Sequence, residues 1–365
     1  MTKLAVFVPS LVHGGMQRAM LNVANEFAER GLDCDLVMVR AEGEYMSLVS
    51  PKLNVVDFKA ARTLGTLPAM IRYLRQTRPD YMVVVSEPAQ LVALWARALT
   101  RVDMKIAISV QHTSSVFTQH AKQLKEKLYP FFTRHTFPMA DYVFTVSEGV
   151  GDDLARFIDL PRERIKTIYN PAVTPDIFDK AVQAVDHEWY INHDCPVVIA
   201  VGRLSHEKRQ SVLIRAFAKV RQDRAARLVV LGEGPERPSL EALISELGLK
   251  DCIDLYGYSD NPFAFLAKSD VFVLTSIYEG LPTVIIEALA CGCPVVSTDC
   301  PSGPREILDH GAYGALVSVD DVDGLAQAIL TTLDNPPNKA DLKERAQEFS
   351  VDKVVDKYLD VFGIG

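Results

Sequence analysis

The sequence predicts two doubly wound α/β domains, each a parallel sheet covered by helices. Three observations lead there. Short, continuous apolar runs alternate with amphipathic stretches along the 365 residues, the pattern of parallel strands buried on both faces. The pattern pauses in a polar stretch around residues 171–194, where a linker is expected near 172–194, and then restarts. At roughly 150 residues per domain, the length accommodates two such units.

The elements follow in order. Leu4–Val8 is the first strand. A His13-Gly14-Gly15 turn comes next, and then a helical stretch placing Met16, Met20, Leu21, Val23, Ala24 and Phe27 near helical spacing. Further strands are expected at Asp35–Val39, Asn54–Phe58, Tyr81–Ser86, Lys105–Val110, Tyr142–Ser147 and Arg164–Ile168. After the polar stretch, strands are expected at Pro196–Val201, Arg227–Leu231, Ile253–Tyr256, Val271–Leu274 and Pro294–Thr298. Helices are expected at Arg209–Arg221, Pro238–Leu247, Thr283–Ala290, Asp321–Leu333 and Lys339–Phe349. A last helix, Val351–Phe362, follows Ser350 as N-cap. Ligands of such sheets bind at the carboxyl ends of the strands, and two facing sheets would share a cleft.

Composition narrows the function. Hydrophobic residues make up 48% and charged residues 24%, which excludes disordered, collagen-like and small disulfide-framework chains. A net charge of −8 argues against a surface devoted to nucleic acid. The charge is split: residues 1–170 carry 21 Lys+Arg against 17 Asp+Glu, whereas the remainder carries 18 against 30. The two halves are therefore expected to face different partners. Six sparse cysteines fit a reduced, cytosolic protein. No apolar run approaches a membrane span, and the opening run is too short for a signal-peptide core.

Three segments could do chemistry. In Tyr278-Glu279-Gly280-Leu281-Pro282-Thr283-Val284-Ile285-Ile286-Glu287, a strand leads through a loop into a helix. Glu279 sits in the loop and Glu287 one turn into the helix, so both carboxylates can point to one cleft. Gly280 permits close backbone approach, Pro282 suits a first helical turn, and the free N–H groups near Thr283 and Val284 suit an anion. Carboxylates hold sugar or ribose hydroxyls well. The alternative is a solvated loop residue and a helix-surface charge. In Gly202-Arg203-Leu204-Ser205-His206-Glu207-Lys208, Arg203 and Lys208 follow a strand end where a diphosphate would lie, unless this is an ordinary basic loop. Gly14-Gly15 before a helix allows a phosphate or sugar close to the backbone, though it is not a G-x-G-x-x-G and points to no nicotinamide.

Together these segments resemble the retaining glycosyltransferases of family 4, which have the GT-B fold of two facing Rossmann-like domains. The family's E-x7-E is present as Glu279 and Glu287, its R-x4-K as Arg203 and Lys208, and its N-terminal glycine pair as Gly14-Gly15. The run through Ala290-Cys291-Gly292-Cys293-Pro294 to Gly303-Pro304-Arg305-Glu306 is similar as well. Met16-Gln17-Arg18 departs from the common Ala-Glu-Arg. Domains are expected at 1–178 and 186–349, with a C-terminal helix, 350–365, returning to the first.

The resemblance implies a retaining α-glycosyltransferase of polysaccharide or lipid-linked glycan assembly, drawing on a nucleotide-diphosphate sugar and needing no metal or other cofactor. Glu279 would bind donor-sugar hydroxyls and Glu287 the ribose. Arg203 and Lys208 would neutralise the diphosphate, with the Gly15 N–H and the helix start from Gly280 through Leu281, Pro282, Thr283 and Val284 adding donors. The base would rest near Gly257 and Tyr258. His112 matches a family histidine that reaches the donor sugar; a packed loop histidine is the alternative. UDP is favoured over GDP, with a hexose or N-acetylhexosamine as the sugar. The competing functions are a sugar-nucleotide 2-epimerase on a similar fold and a non-catalytic binding subunit.

Asp33-Cys34-Asp35 mimics a metal-binding D-x-D but stands at the amino end of a strand, so it is read as a decoy. Cys291, Cys293 and Cys300 lie in apolar context and are read as buried small residues. His120, His135 and His310 receive no role. Two basic segments suggest a membrane surface. One carries Arg72, Arg75 and Arg78 beside an apolar stripe of Leu67, Met70, Ile71 and Leu74. The other carries Lys122, Lys125 and Lys127 among aromatics. Both could instead be surface helices packed on the sheet. The protein is expected in the cytoplasm, visiting the inner leaflet of the membrane.

Overall fold

The computed structural model describes residues 2–12, 14–119 and 129–364. The chain forms two compact units: residues 1–172 with 349–365, and residues 173–348. Among the described residues no helix is long and apolar enough to cross a membrane.

The first unit holds a seven-stranded sheet: β1 (Lys3–Val8), β2 (Asp33–Met38), β3 (Asn54–Asp57), β4 (Tyr81–Val85), β5 (Lys105–Val110), β6 (Tyr142–Thr145) and β7 (Ile165–Thr167). Their order is β3-β2-β1-β4-β5-β6-β7 and every pairing is parallel. The inner strands are rich in Val, Ile, Leu and Phe buried on both faces, which β-branched side chains fit, whereas the edge strands β3 and β7 are only partly buried.

One side of this sheet is closed by helix Gly15–Glu29 and by Val351–Phe362. The second of these presents Val351, Val354, Val355, Tyr358 and Phe362 to the core. The Tyr358 ring meets Phe27 and Phe144 edge-on, at centroid distances of 6.2 and 5.3 Å. Arg30 ties the helix down by donating to the Asp352 carbonyl at 3.0 Å and to Asp356 Oδ1 at 2.5 Å.

The second unit holds β8 (Val197–Val201), β9 (Arg227–Leu231), β10 (Ile253–Gly257), β11 (Val271–Leu274), β12 (Val295–Thr298) and β13 (Ala315–Val317), in the order β10-β9-β8-β11-β12-β13, all parallel. Its helices include Gln210–Asp223, Arg237–Glu246, Thr283–Ala290, Val322–Asp334 and Lys339–Ala346.

Three sequence expectations need correction. Residues 173–178 belong to the second unit, not the first. The stretch expected to be a linker folds onto that unit as helices Asp176–Ala181 and Glu188–Asn192. Asn261 Nδ2 donates to the Lys180 carbonyl at 3.0 Å, Lys268 Nζ to the Gln183 carbonyl at 2.7 Å, and the Tyr190 hydroxyl bonds Ser269 Oγ at 2.8 Å. β13 was not expected, nor were helices Pro262–Lys268 and Pro304–Ile307.

Candidate active site

In each sheet the strand order reverses once, between β1 and β4 in the first unit and between β8 and β11 in the second. Such switch points open a crevice at the carboxyl ends of the strands. The second unit concentrates charged chemistry there.

Beyond β8 the chain runs through Gly202 to a short 3₁₀ turn, His206–Lys208. Beyond β11 it runs to Glu279. The two loops are stitched together: Thr275 Oγ1 donates to the Lys208 carbonyl at 2.8 Å, and Ile277 N to the Glu207 carbonyl at 2.9 Å. This frame presses Lys208 Nζ onto Glu279 Oε1 at 2.5 Å, and Ser276 Oγ donates to the same oxygen at 2.6 Å. The Lys208 side chain is 24% exposed and that of Glu279 13%.

Burial pulls the Lys208 pKa down, but the charge and hydrogen bond of Glu279 outweigh it, and the net shift is upward. The stability linked to the Lys208 proton is therefore fully present below the ordinary lysine pKa of 10.5 and is lost as pH climbs through the raised value. Glu207 is held below the usual carboxylate range: burial resists, while a Ser205 hydrogen bond and the charges of Lys208 and Arg203 prevail. Cys300 lies beside the pair, its thiol pushed up to about 12 by burial and then by the Glu279 charge.

Arg203 is different. It is exposed, and among the described residues its guanidinium has no carboxylate within 4 Å, while its carbonyl is fixed by Gln210 Nε2 at 2.9 Å. A cation thus stands beside a preformed ion pair. The Glu279 loop runs straight into helix Thr283–Ala290, with Pro282 at the cap position, no side chain capping its N–H groups and no acidic residue in its first turn. Thr283 and Val284 are half-buried, and so is Glu287 on the fifth residue of the helix. Unsatisfied N–H groups and a positive dipole end make that start an anion-binding position.

Glycines let these loops approach. Gly303 (φ 95°) lies under the Glu279 loop, where a Cβ would fall 2.4 Å from Pro282 Cδ. Gly232 (φ 140°) lies between the ends of β8 and β10, where a Cβ would fall 2.0 Å from the Gly202 carbonyl oxygen, and its N–H donates to the Gly257 carbonyl at 2.7 Å. From the sequence Gly303 was named only within the family-like run, and Gly232 was not named. Gly232-Glu233-Gly234 after a strand was the available signal for one of them. Gly257 and Tyr258 follow β10, two strands from β8, and Tyr258 is exposed. Arg203, Lys208, Glu279 and residues 280–284 therefore meet at the switch point, with Gly257 and Tyr258 about 10 Å along the same edge at ordinary strand spacing.

Comparison with known proteins decides the family. The model described as "Glycosyl transferase 4-like domain" matches residues 14–171, and "Glycosyl transferases group 1" matches residues 183–349. The chain belongs to the group 1 glycosyltransferases. It is 27% identical, over 95% of its own length and 94% of the relative's, to the N-acetylgalactosamine-N,N'-diacetylbacillosaminyl-diphospho-undecaprenol 4-alpha-N-acetylgalactosaminyltransferase of Campylobacter jejuni. Its fold is similar to sucrose-phosphate synthase of Thermosynechococcus elongatus (TM-score 0.83, 20% identity) and to Anabaena HepE solved with UDP and glucose (TM-score 0.79, 20% identity), each covering 100% of both chains. The two parallel sheets are those of a GT-B glycosyltransferase.

In the first unit of this glycosyltransferase, Gly14 and Gly15 follow β1, and helix Gly15–Glu29 starts without a capping side chain. His112 follows β5. Its Nε2 lies 3.5 Å from Oε1 of Glu87, a residue at the end of β4 that was not foreseen. Ser86, just before it, is held at φ 67°, ψ 137°, an uncommon conformation for a residue with a Cβ.

The Asp33-Cys34-Asp35 triplet is committed elsewhere: Lys3 Nζ pairs with Asp33 Oδ1 at 2.8 Å, while Asp35 accepts from Tyr73 at 2.7 Å and from Asn54 at 2.9 Å. Cys291, Cys293 and Cys300 are buried free thiols.

On helix Leu67–Thr77, Met70 and Leu74 are buried while Leu67 and Ile71 are half-buried, so the stripe expected to meet lipid is largely turned inward. Arg72, Arg75 and Arg78 remain exposed. Lys122, Lys125 and Lys127 lie outside the described residues.

Proposed function

We propose that this enzyme moves a hexose or N-acetylhexosamine from a UDP-linked donor to a lipid-linked glycan, retaining the anomeric configuration and using no divalent metal. The observation that carries the reading is the Lys208–Glu279 pair beside the unpaired Arg203 and the uncapped helix start at Thr283. As the bond from sugar C1 to the diphosphate breaks, charge grows on the leaving oxygens, and fixed cations and N–H donors lower that barrier. Glu279 accepts from sugar hydroxyls and Glu287 from the ribose, while Tyr258 and Gly257 border the base. The acceptor oxygen attacks C1 from the side the diphosphate leaves, and its proton passes to the departing phosphate. We assign the Gly15 N–H and His112, with Glu87 orienting the imidazole, the donor-binding roles that the family likeness gives them. The donor choice draws on the HepE complex with UDP and glucose, and the acceptor on the diphospho-undecaprenol substrate in the Campylobacter relative's name. We place the enzyme on the cytoplasmic face of an anionic membrane, with Arg72, Arg75 and Arg78 toward the lipid phosphates.

A panel of nucleotide sugars tests the reaction. Slow release of free nucleotide from a UDP-sugar is the expected result. Interconversion of the sugar without release would show a 2-epimerase instead, and binding without turnover, even with a lipid-diphosphate acceptor, a binding subunit. EDTA should leave turnover largely unchanged, because cationic side chains and a helix terminus already face the diphosphate. A strict requirement for Mn²⁺ or Mg²⁺ would overturn the metal-free mechanism.

A further inference from the structure

The sheet order of the first unit sorts its helices. From β1 the chain steps to β2 and β3 in one direction, whereas the connections from β3 to β4, β4 to β5 and β5 to β6 step the other way. Right-handed crossovers therefore put helices Leu67–Thr77, Glu87–Thr100 and Tyr129–Thr136 together on one face of the sheet. Glu87–Thr100 is the middle member and packs on both neighbours.

Its inner residues, among them Ala89, Val92, Ala93 and Ala96, are buried. Its outer stripe is Pro88, Leu91, Trp95, Ala98 and Leu99, at helical spacing and without one charge. An apolar stripe facing away from a helix's buried side is normally covered as well. Here Trp95 is 37% and Leu99 62% exposed. The flanking elements extend the apolar surface: Leu64 is 55% exposed in a turn that packs on this helix, and Phe131 61% exposed on helix Tyr129–Thr136. Beside Ala98 and Met139 a groove of about 470 Å³ turns polar, lined by Arg101, Asp103 and the Arg97–Asp141 ion pair, and marks the edge of the apolar surface.

What covers such a face is indicated by the charges around it. Arg72 and Arg75 point outward from the neighbouring helix, Arg134 is 57% exposed on the other, and Arg101 follows Leu99. Residues 58–79 and 88–102 contain no Asp or Glu. Arginines around an apolar ridge with an interfacial tryptophan match an anionic bilayer surface.

We propose that Leu91, Trp95 and Leu99 form a wedge that enters the headgroup boundary of an anionic membrane, with Arg72, Arg75 and Arg101 on lipid phosphates. The proposal rests on the lipid-linked acceptor reading. It replaces the buried Met70–Leu74 stripe with the next helix as the inserting element. The wedge helix also begins at Glu87, the partner of His112.

Trp95 is one of two tryptophans, so Trp189→Phe leaves it as the sole reporter. With vesicles of phosphatidylglycerol and phosphatidylcholine, its emission should shift to the blue and be quenched by lipids brominated high on the acyl chain. In the otherwise unaltered chain, Leu99→Ser should weaken co-sedimentation with these vesicles about tenfold, while hydrolysis of the free UDP-sugar stays unchanged. Co-sedimentation with unchanged Trp95 emission would overturn the wedge and leave docking by arginine alone. Equal shifts with purely neutral vesicles would overturn the anionic partner. A blue shift without vesicles that grows with protein concentration would instead show an interface between copies. Absence of binding to any vesicle would overturn the proposal, and turnover on a detergent-solubilised lipid-linked acceptor would then judge the reaction separately.

Discussion

Arg203→Ala should slow transfer from the true donor by ~10²–10³-fold, the usual cost of removing one charge-stabilising donor from a leaving group. The effect should fall on turnover and not on folding. Arg203 is exposed, and its guanidinium has no ion-pair partner among the described residues; the hydrogen bonds shown at this residue, from Gln210 and Ser205, both use its carbonyl, which alanine keeps. Thermal unfolding should accordingly move by no more than about 0.5 kcal/mol. Arg203→Lys should recover only part of the rate, because an ammonium keeps the charge but loses the planar fork. Glu279→Ala should be as damaging to transfer but also destabilising, since it leaves the partly buried Lys208 ammonium without its partner. Steady-state kinetics beside calorimetry would separate the two. Near-normal turnover in Arg203→Ala would show that the diphosphate lies elsewhere.

The largest stability effect is expected far from the chemistry. Tyr358 is fully buried between Phe27 and Phe144 in the core of the first unit. Tyr358→Ala removes an aromatic ring that the surroundings cannot replace and should cost ~3–5 kcal/mol, as buried aromatic truncations do. For a unit of this size that is a fall in Tm of order 10 °C. Calorimetry should show the loss, and Tyr358→Phe should recover most of it. A drop under ~2 °C would mean that the last helix is only loosely held.

The inner strands were legible because both faces of a parallel sheet are buried there, so they read as largely continuous apolar runs; Lys105–Val110, Arg227–Leu231 and Val271–Leu274 have the bounds expected. β13 escaped because Ala315–Val317 is short and only half-buried at the sheet edge, giving no contrast with its surroundings. Helices Asp176–Ala181 and Glu188–Asn192 looked like a linker because the groups that hold them, among them Asn261, Lys268 and Ser269, are some 80 residues away. Spacing found Lys208 and Glu279, but not that they bond each other across 71 positions. Glu87 carried no local signal, since its significance depends on β4 and β5 being neighbours. The stripe from Met70 to Leu74 shows how periodicity identifies an apolar face without saying what lies against it: the sheet took that face, and the next helix kept its own in the open.

The second unit interrupts the first in the covalent chain, and this has a consequence for how the protein is made. Residues 1–172 leave the ribosome without the helix that seals one side of their core, and that helix follows only after 173–348. At ~5–20 residues per second, the delay is roughly 10–35 s. Folding within the second unit takes far less time than that for most domains of its size. The nascent first unit must therefore wait with Phe27 and Phe144 uncovered while its insert folds beside it. Chaperone demand during synthesis should peak in this interval, and a ribosome stalled within the insert should hold the first unit in a protease-sensitive state.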